Sequence, residues 1–130
     1  MRRILMTIAA VVVLATAVSA CDPTVSDISN KELLQRLNTA DDMLVVLDVR
    51  SAQEYASGHV PRAINIPHDQ MIAHLSELRA RDNAEFVVYC ESGRRAGKAE
   101  RMLKSDGFIN IRHLQGDMAQ WRMDGLPTEK

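Results

Sequence analysis

Two kinds of hydrophobic spacing alternate along the chain. Met43 to Val49 and Phe86-Val87-Val88-Tyr89 are short, nearly continuous apolar runs, the pattern of strands covered on both faces. Ala63 to Ile66, stopped by Pro67, and Ile109 to Leu114 predict two more strands. Between these runs the apolar positions fall at helical spacing. Ser29-Asn30-Lys31-Glu32 reads as a capping box ahead of Leu33, Leu34 and Leu37. Ser51-Ala52-Gln53-Glu54 is a second one, opening a short helix closed by Gly58. Asp69 is expected to cap a helix carrying Met71, Ile72, Leu75 and Leu78. Ala96 to Asp106 predicts a helix ended by Gly107, and Met118 to Met123 a short one ended by Gly125 and Pro127. Met71, Met102, Met118 and Met123 are expected as core fillers. Repeated strand-then-helix order with short links implies an α/β fold with a mainly parallel sheet and helices on both faces. In such sheets sites gather beyond the carboxyl ends of strands. That rule singles out Asp48-Val49-Arg50 and Cys90.

The first twenty residues follow a different pattern. Arg2 and Arg3 precede an apolar run from Ile4 to Val18, interrupted only by Thr7 and Thr16. The run is shorter than the roughly 20 residues a membrane-spanning helix needs. It fits the apolar region of a secretory signal peptide, with small residues at Ser19 and Ala20. Val18-Ser19-Ala20-Cys21 resembles the lipobox of bacterial lipoproteins, which implies acylation of Cys21; cleavage after Ala20 without acylation is the plainer alternative. Asp22 resembles an inner-membrane retention signal. The expected organisation is a signal peptide at 1–20, a polar tether at 21–27 and one domain at 28–130, held periplasmically on the inner membrane by a lipid anchor.

Composition narrows the function classes. The 130 residues suit one modest domain and are too few for two. Net charge is −1, and loss of Arg2 and Arg3 with the leader leaves 14 basic against 17 acidic residues. Only 4% of residues are aromatic. Near-neutral charge and so few stacking platforms argue against nucleic acid as the main partner. Two cysteines, Cys21 and Cys90, are too few for a disulfide scaffold or a thiolate-built zinc site.

The chemistry concentrates in Cys90-Glu91-Ser92-Gly93-Arg94-Arg95. A cysteine ends a buried strand, a glycine-containing turn follows, and a helix begins. Backbone N–H groups in such a turn converge on its centre, where the helix dipole also points its positive end. Arg94 and Arg95 add cations. The arrangement suits a stabilised thiolate and a cradle for a small oxyanion, and it requires an open sulfur. Glu91 works against a neighbouring thiolate unless it turns outward or pairs with an arginine. Cys90 as a plain small core residue is the weaker reading, because it ends the strand and is followed at once by glycine and two arginines.

These residues resemble a known family. Leu47-Asp48-Val49-Arg50, Glu54-Tyr55 and Gly58-His59-Val60-Pro61-Arg62-Ala63-Ile64-Asn65-Ile66-Pro67 are similar to the first signature of single-domain rhodaneses, the small periplasmic thiosulfate sulfurtransferases. The family more often has glycine where Arg62 stands. The Cys90 loop is the second motif, and Trp121 with Gly125-Leu126-Pro127 the third. The resemblance covers about residues 28–127. It implies a three-layer α/β domain around a five-stranded, mainly parallel sheet. It further implies that Cys90 takes the outer sulfur of thiosulfate or a similar donor as a persulfide, held by the amides of Cys90 to Arg95, and passes it to cyanide or a thiol. Glu91, Ser92, Gly93, Arg94 and Arg95 would bind the donor, with no metal or organic cofactor. Relatives with phosphatase activity carry an arginine six positions after the cysteine; here that position is Ala96, which disfavours a phosphatase or arsenate reductase. A non-catalytic persulfide carrier or membrane interaction module is the other alternative.

The remaining polar residues receive plainer readings. Asp48 is expected to tie down neighbouring loop amides, shaping the Cys90 loop from behind, and Arg50 to pair with Glu54. His59 reads as structural. His68, His74 and His113 show no shared ligand or triad spacing. Ser92 is a candidate hydroxyl donor to a persulfide, and Trp121 is expected as a packing anchor near the mouth of the site.

Overall fold

The apolar runs form the centre of the sheet. The computed structural model describes residues 26–130; the signal-peptide and Cys21 assignments lie outside them. Strand β2 (Leu44–Asp48) pairs in parallel with β4 (Glu85–Tyr89), in a register that sets Asp48 beside Tyr89. Outside them lie β5 (Ile111–Leu114), β3 (Ile64–Asn65) and β1 (Ser26–Ile28), in the order β1-β5-β4-β2-β3 with every pairing parallel. Alternate residues of each central strand face opposite layers. Val45, Leu47, Val49, Phe86 and Val88 pack against Met71 and Leu78 of α3 (Met71–Arg79) and Ala96, Ala99 and Leu103 of α4 (Arg94–Ser105). Leu44, Val46, Val87 and Tyr89 pack against Leu33 and Leu37 of α1 (Asn30–Asn38) and Met118 and Trp121 of α5 (Asp117–Met123). The short α2 (Ala52–Ser57) contributes Tyr55 to the second layer. The chain is therefore the expected three-layer α/β domain.

The details depart from the sequence reading in four places. Ser26 and Asp27, assigned to a tether, belong to β1, which pairs with Arg112 and His113 of β5. Only half of the first capping box forms: Ser29 accepts from the Glu32 amide, while the Glu32 carboxylate turns to Arg112. The second box, Ser51 with Glu54, is complete. Helix α3 starts at Met71 behind Gln70 with no side-chain cap, so Asp69 does not cap it. Met123 is 80% exposed and fills no core.

Candidate active site

Parallel pairing brings the carboxyl ends of β2 and β4 to one edge. Cys90 follows β4 there, and its carbonyl and that of Glu91 accept from the amides of Met118 and Ala119 at 3.0 and 3.2 Å. The loop is thereby stitched to the start of α5. Gly93 turns the chain into α4 with φ +101°, and its N–H donates to Cys90 Sγ at 3.0 Å. A β-carbon at Gly93 would lie 3.1 Å from Asp117 Oδ2, so close approach and backbone conformation both call for glycine.

The sulfur is not open as the sequence reading required. Cys90 is 1% exposed and joins the core layer under α4. Strand alternation explains this: Val88 and Cys90 point to the same layer, opposite Tyr89. The Cys90 amide is also not in the cradle, because it donates to Asp117 Oδ1 at 3.0 Å.

The loop's charged residues divide sharply. Arg95 grips Glu54 with two hydrogen bonds of 2.7 and 2.9 Å. The Arg95 hydrogen bonds hold the Glu54 carboxyl down at about 2. Arg94 and Ser92 are exposed, and Arg94 has no ion pair among the described residues. The Glu91 carboxylate is held by Arg122, with Arg50 Nη1 at 3.7 Å, so its charge is compensated. A cavity of about 240 Å³ beside Arg95 is lined by Ser51, Ala52, Pro67, His68, Asp69 and Gln70. A larger groove of about 460 Å³ between α3 and α4 shares no lining residue with the Cys90 loop.

Asp48 and Arg50 form a buried ion pair with each other at 2.7 Å; Glu54 is taken by Arg95, so the expected Arg50–Glu54 pair does not form. Asp48 accepts the Arg50 amide and the Tyr89 hydroxyl, Arg50 also donates to the Gly58 carbonyl, and Tyr89 accepts the Val60 amide. Burial and the Asp48 charge push the Tyr89 phenol upward. His59 is buried and stacks on Tyr55 at 3.6 Å, as a structural residue should. Trp121 is fully buried in the opposite layer, donating to the Pro127 carbonyl. His113 stands against Asp117 and Glu100, a grouping the sequence reading passed over. Its signal was Glu100, an acid on the same helical stripe as Ala96 and Leu103.

The model of the rhodanese-like domain matches residues 29–124. The chain belongs to this family. A sulfurtransferase of Allochromatium vinosum is 33% identical to the rhodanese-like chain over 103 residues, covering 79% of it and 94% of the relative. The tRNA uridine(34) hydroxylase of Salmonella typhimurium is 33% identical over 96 residues, covering 68% of this chain and 27% of that protein. The chain spans about half the length of other curated relatives it matches, 52% and 44% in two cases. A thiosulfate sulfurtransferase structure from Pseudomonas aeruginosa superposes with TM-score 0.71 at 23% identity, over 81% of this chain and 20% of that one, a likeness of fold.

Proposed function

We propose that this rhodanese-like protein is a sulfurtransferase that moves a sulfane sulfur from thiosulfate, or a similar anionic donor, through a Cys90 persulfide to cyanide or a thiol. The observation that carries the reading is the Gly93 N–H on Cys90 Sγ at 3.0 Å, at the junction of β4 and α4. The Cys90 thiolate attacks the outer sulfur of thiosulfate. A new S–S bond forms, the donor's S–S bond breaks, and sulfite leaves with the electron pair. Cyanide then attacks the outer sulfur of the persulfide, thiocyanate forms, and the thiolate returns. A donor hydrogen bond already aimed at the reacting sulfur stabilises the charge it carries in both steps. Arg94 draws in the anion, since Arg95 is largely spent on Glu54. The Allochromatium sulfurtransferase, matched over nearly its whole length, supports the same chemistry.

Thiocyanate formation from thiosulfate and cyanide tests the proposal, with turnover expected and lost in Cys90→Ser. Absence of turnover, or its survival in that variant, contradicts it. A second reading, a persulfide carrier exchanging sulfur with a protein partner, is favoured by a Bacillus subtilis relative described as a sulfur carrier, 32% identical over 97 residues. Loading by a persulfidated protein but not by thiosulfate selects it. The proposal includes export by residues 1–20 and a lipid on Cys21 at the periplasmic face of the inner membrane; an unacylated mature N-terminus contradicts that part.

A further inference from the structure

Beneath the Cys90 loop lies a cluster that the sulfur-transfer steps do not use. His113 of β5 stands between two carboxylates: its Nε2 is 3.0 Å from Asp117 Oδ2, and its Nδ1 contacts Glu100 Oε1. Glu100 is 8% and Asp117 3% exposed. Asp117 meets the Cys90 amide with its other oxygen, and does so from φ +55°, a left-handed conformation that costs a non-glycine residue on the order of 1 kcal/mol. Gly93, whose N–H reaches the sulfur, sits directly on this cluster: a β-carbon there would lie 3.5 Å from His113 Nε2.

The hydrogen bonds fix the protonation state. Each imidazole nitrogen faces a carboxylate oxygen, an arrangement that needs a proton on both. The contacts with Asp117 and then Glu100 raise His113 to about 10. Its register partners on the neighbouring strands are exposed Asp27 on β1 and apolar Val88 on β4. As an imidazolium, His113 leaves the trio with one net negative charge; as a neutral ring it would leave two.

We propose that His113 is an electrostatic positioning residue: its imidazolium anchors Asp117, and through it the Cys90 amide, and cancels one of two negative charges beneath the site where a thiolate and an anionic donor must coexist. This rests on Cys90 being the reacting sulfur. The test is the ultraviolet thiolate absorbance of the full-length protein as pH is raised, with Cys90→Ser as the blank. His113→Gln is expected to move the Cys90 midpoint up by about one pH unit, the scale of one extra charge several ångströms away. Asp117→Asn alone moves it down. The double variant restores a single negative charge and an amide oxygen for the Cys90 N–H, and returns the midpoint to within a few tenths of a pH unit of wild type. The thiosulfate KM rises about tenfold in His113→Gln while kcat changes less, as expected for repulsion of an anionic donor. An unmoved midpoint in His113→Gln, an upward move in Asp117→Asn, or a double variant further from wild type than either single one overturns the proposal. The titration reads the thiol itself, so a wild-type protein inactive on thiosulfate defeats the proposed function and leaves this inference intact.

Discussion

Two buried polar clusters flank the Cys90 loop, and they are built on opposite electrostatic plans. Asp48 and Arg50, with Tyr89 and the Gly58 carbonyl, form a charge-balanced pair at 2.7 Å, with side chains 0% and 2% exposed. Glu100, His113 and Asp117 set two acids against one base, with the imidazole 19% exposed. The first reaches the loop through Arg50 at Glu91, the second through Asp117 at the Cys90 amide. A balanced, dry pair fixes geometry and carries no net charge. An unbalanced trio near the surface fixes geometry only while its base stays protonated.

The largest expected effect is on the balanced side. Arg50→Met leaves Asp48 buried without its cation, and urea unfolding should show a loss of about 3–5 kcal/mol. A loss under 1 kcal/mol would mean that water reaches Asp48 and that the pair is not dry. Next comes the floor of the loop. Gly93→Ala places a β-carbon against Asp117 Oδ2 in a backbone conformation reserved for glycine. It should cost about 1–3 kcal/mol in urea unfolding and lower turnover about 10- to 100-fold as the N–H leaves the sulfur. Full activity in this variant would show that the Gly93 amide is dispensable.

The pH dependence separates the two clusters. Folding raises His113 from an ordinary 6.5 to about 10, so the native state holds the proton more tightly than the unfolded chain. Its contribution is complete below about pH 6.5 and declines as pH rises toward 10. Thermal unfolding across that window should show an alkaline loss that His113→Gln removes. The Arg50 variant should keep it, because Asp48 holds the Arg50 guanidinium above an already high value. The smallest effect belongs to Glu54→Gln. The Glu54–Arg95 pair is 35% and 28% exposed, so the loss should stay under about 1 kcal/mol near neutral pH. Its contribution is present above the ordinary 4.5 and fades as pH falls to about 2; a melt that does not differ from wild type above pH 5 and below pH 2 alike would show that the pair contributes nothing.

The sheet could be read from the chain because its central strands are continuous apolar runs and its helices carry capping residues. Phe86 to Tyr89 and Ser51-Ala52-Gln53-Glu54 are instances where local pattern and tertiary demand agree. Strand β1 was hidden: three residues, two of them polar and exposed, at the edge of the sheet. Asp69 has the chemistry of a cap, but Pro67 and Gln70 form a turn first and α3 begins after it. At the site, the sulfur, the glycine and the following helix were evident from order alone. Ion-pair partners were not, because Arg50 and Arg95 both lie within reach of Glu54 and only the packed geometry awards it to Arg95. His113, Glu100 and Asp117 come from β5, α4 and the start of α5, and no linear spacing joins them.

In the proposed reaction Cys90 is the residue that carries sulfur. Intact mass spectrometry of the purified protein after thiosulfate treatment and removal of sulfite reads that directly. A gain of one sulfur atom on the wild type, absent from Cys90→Ser and removed by cyanide, is the predicted result. A wild-type mass that never changes, or a gain that persists in Cys90→Ser, contradicts it.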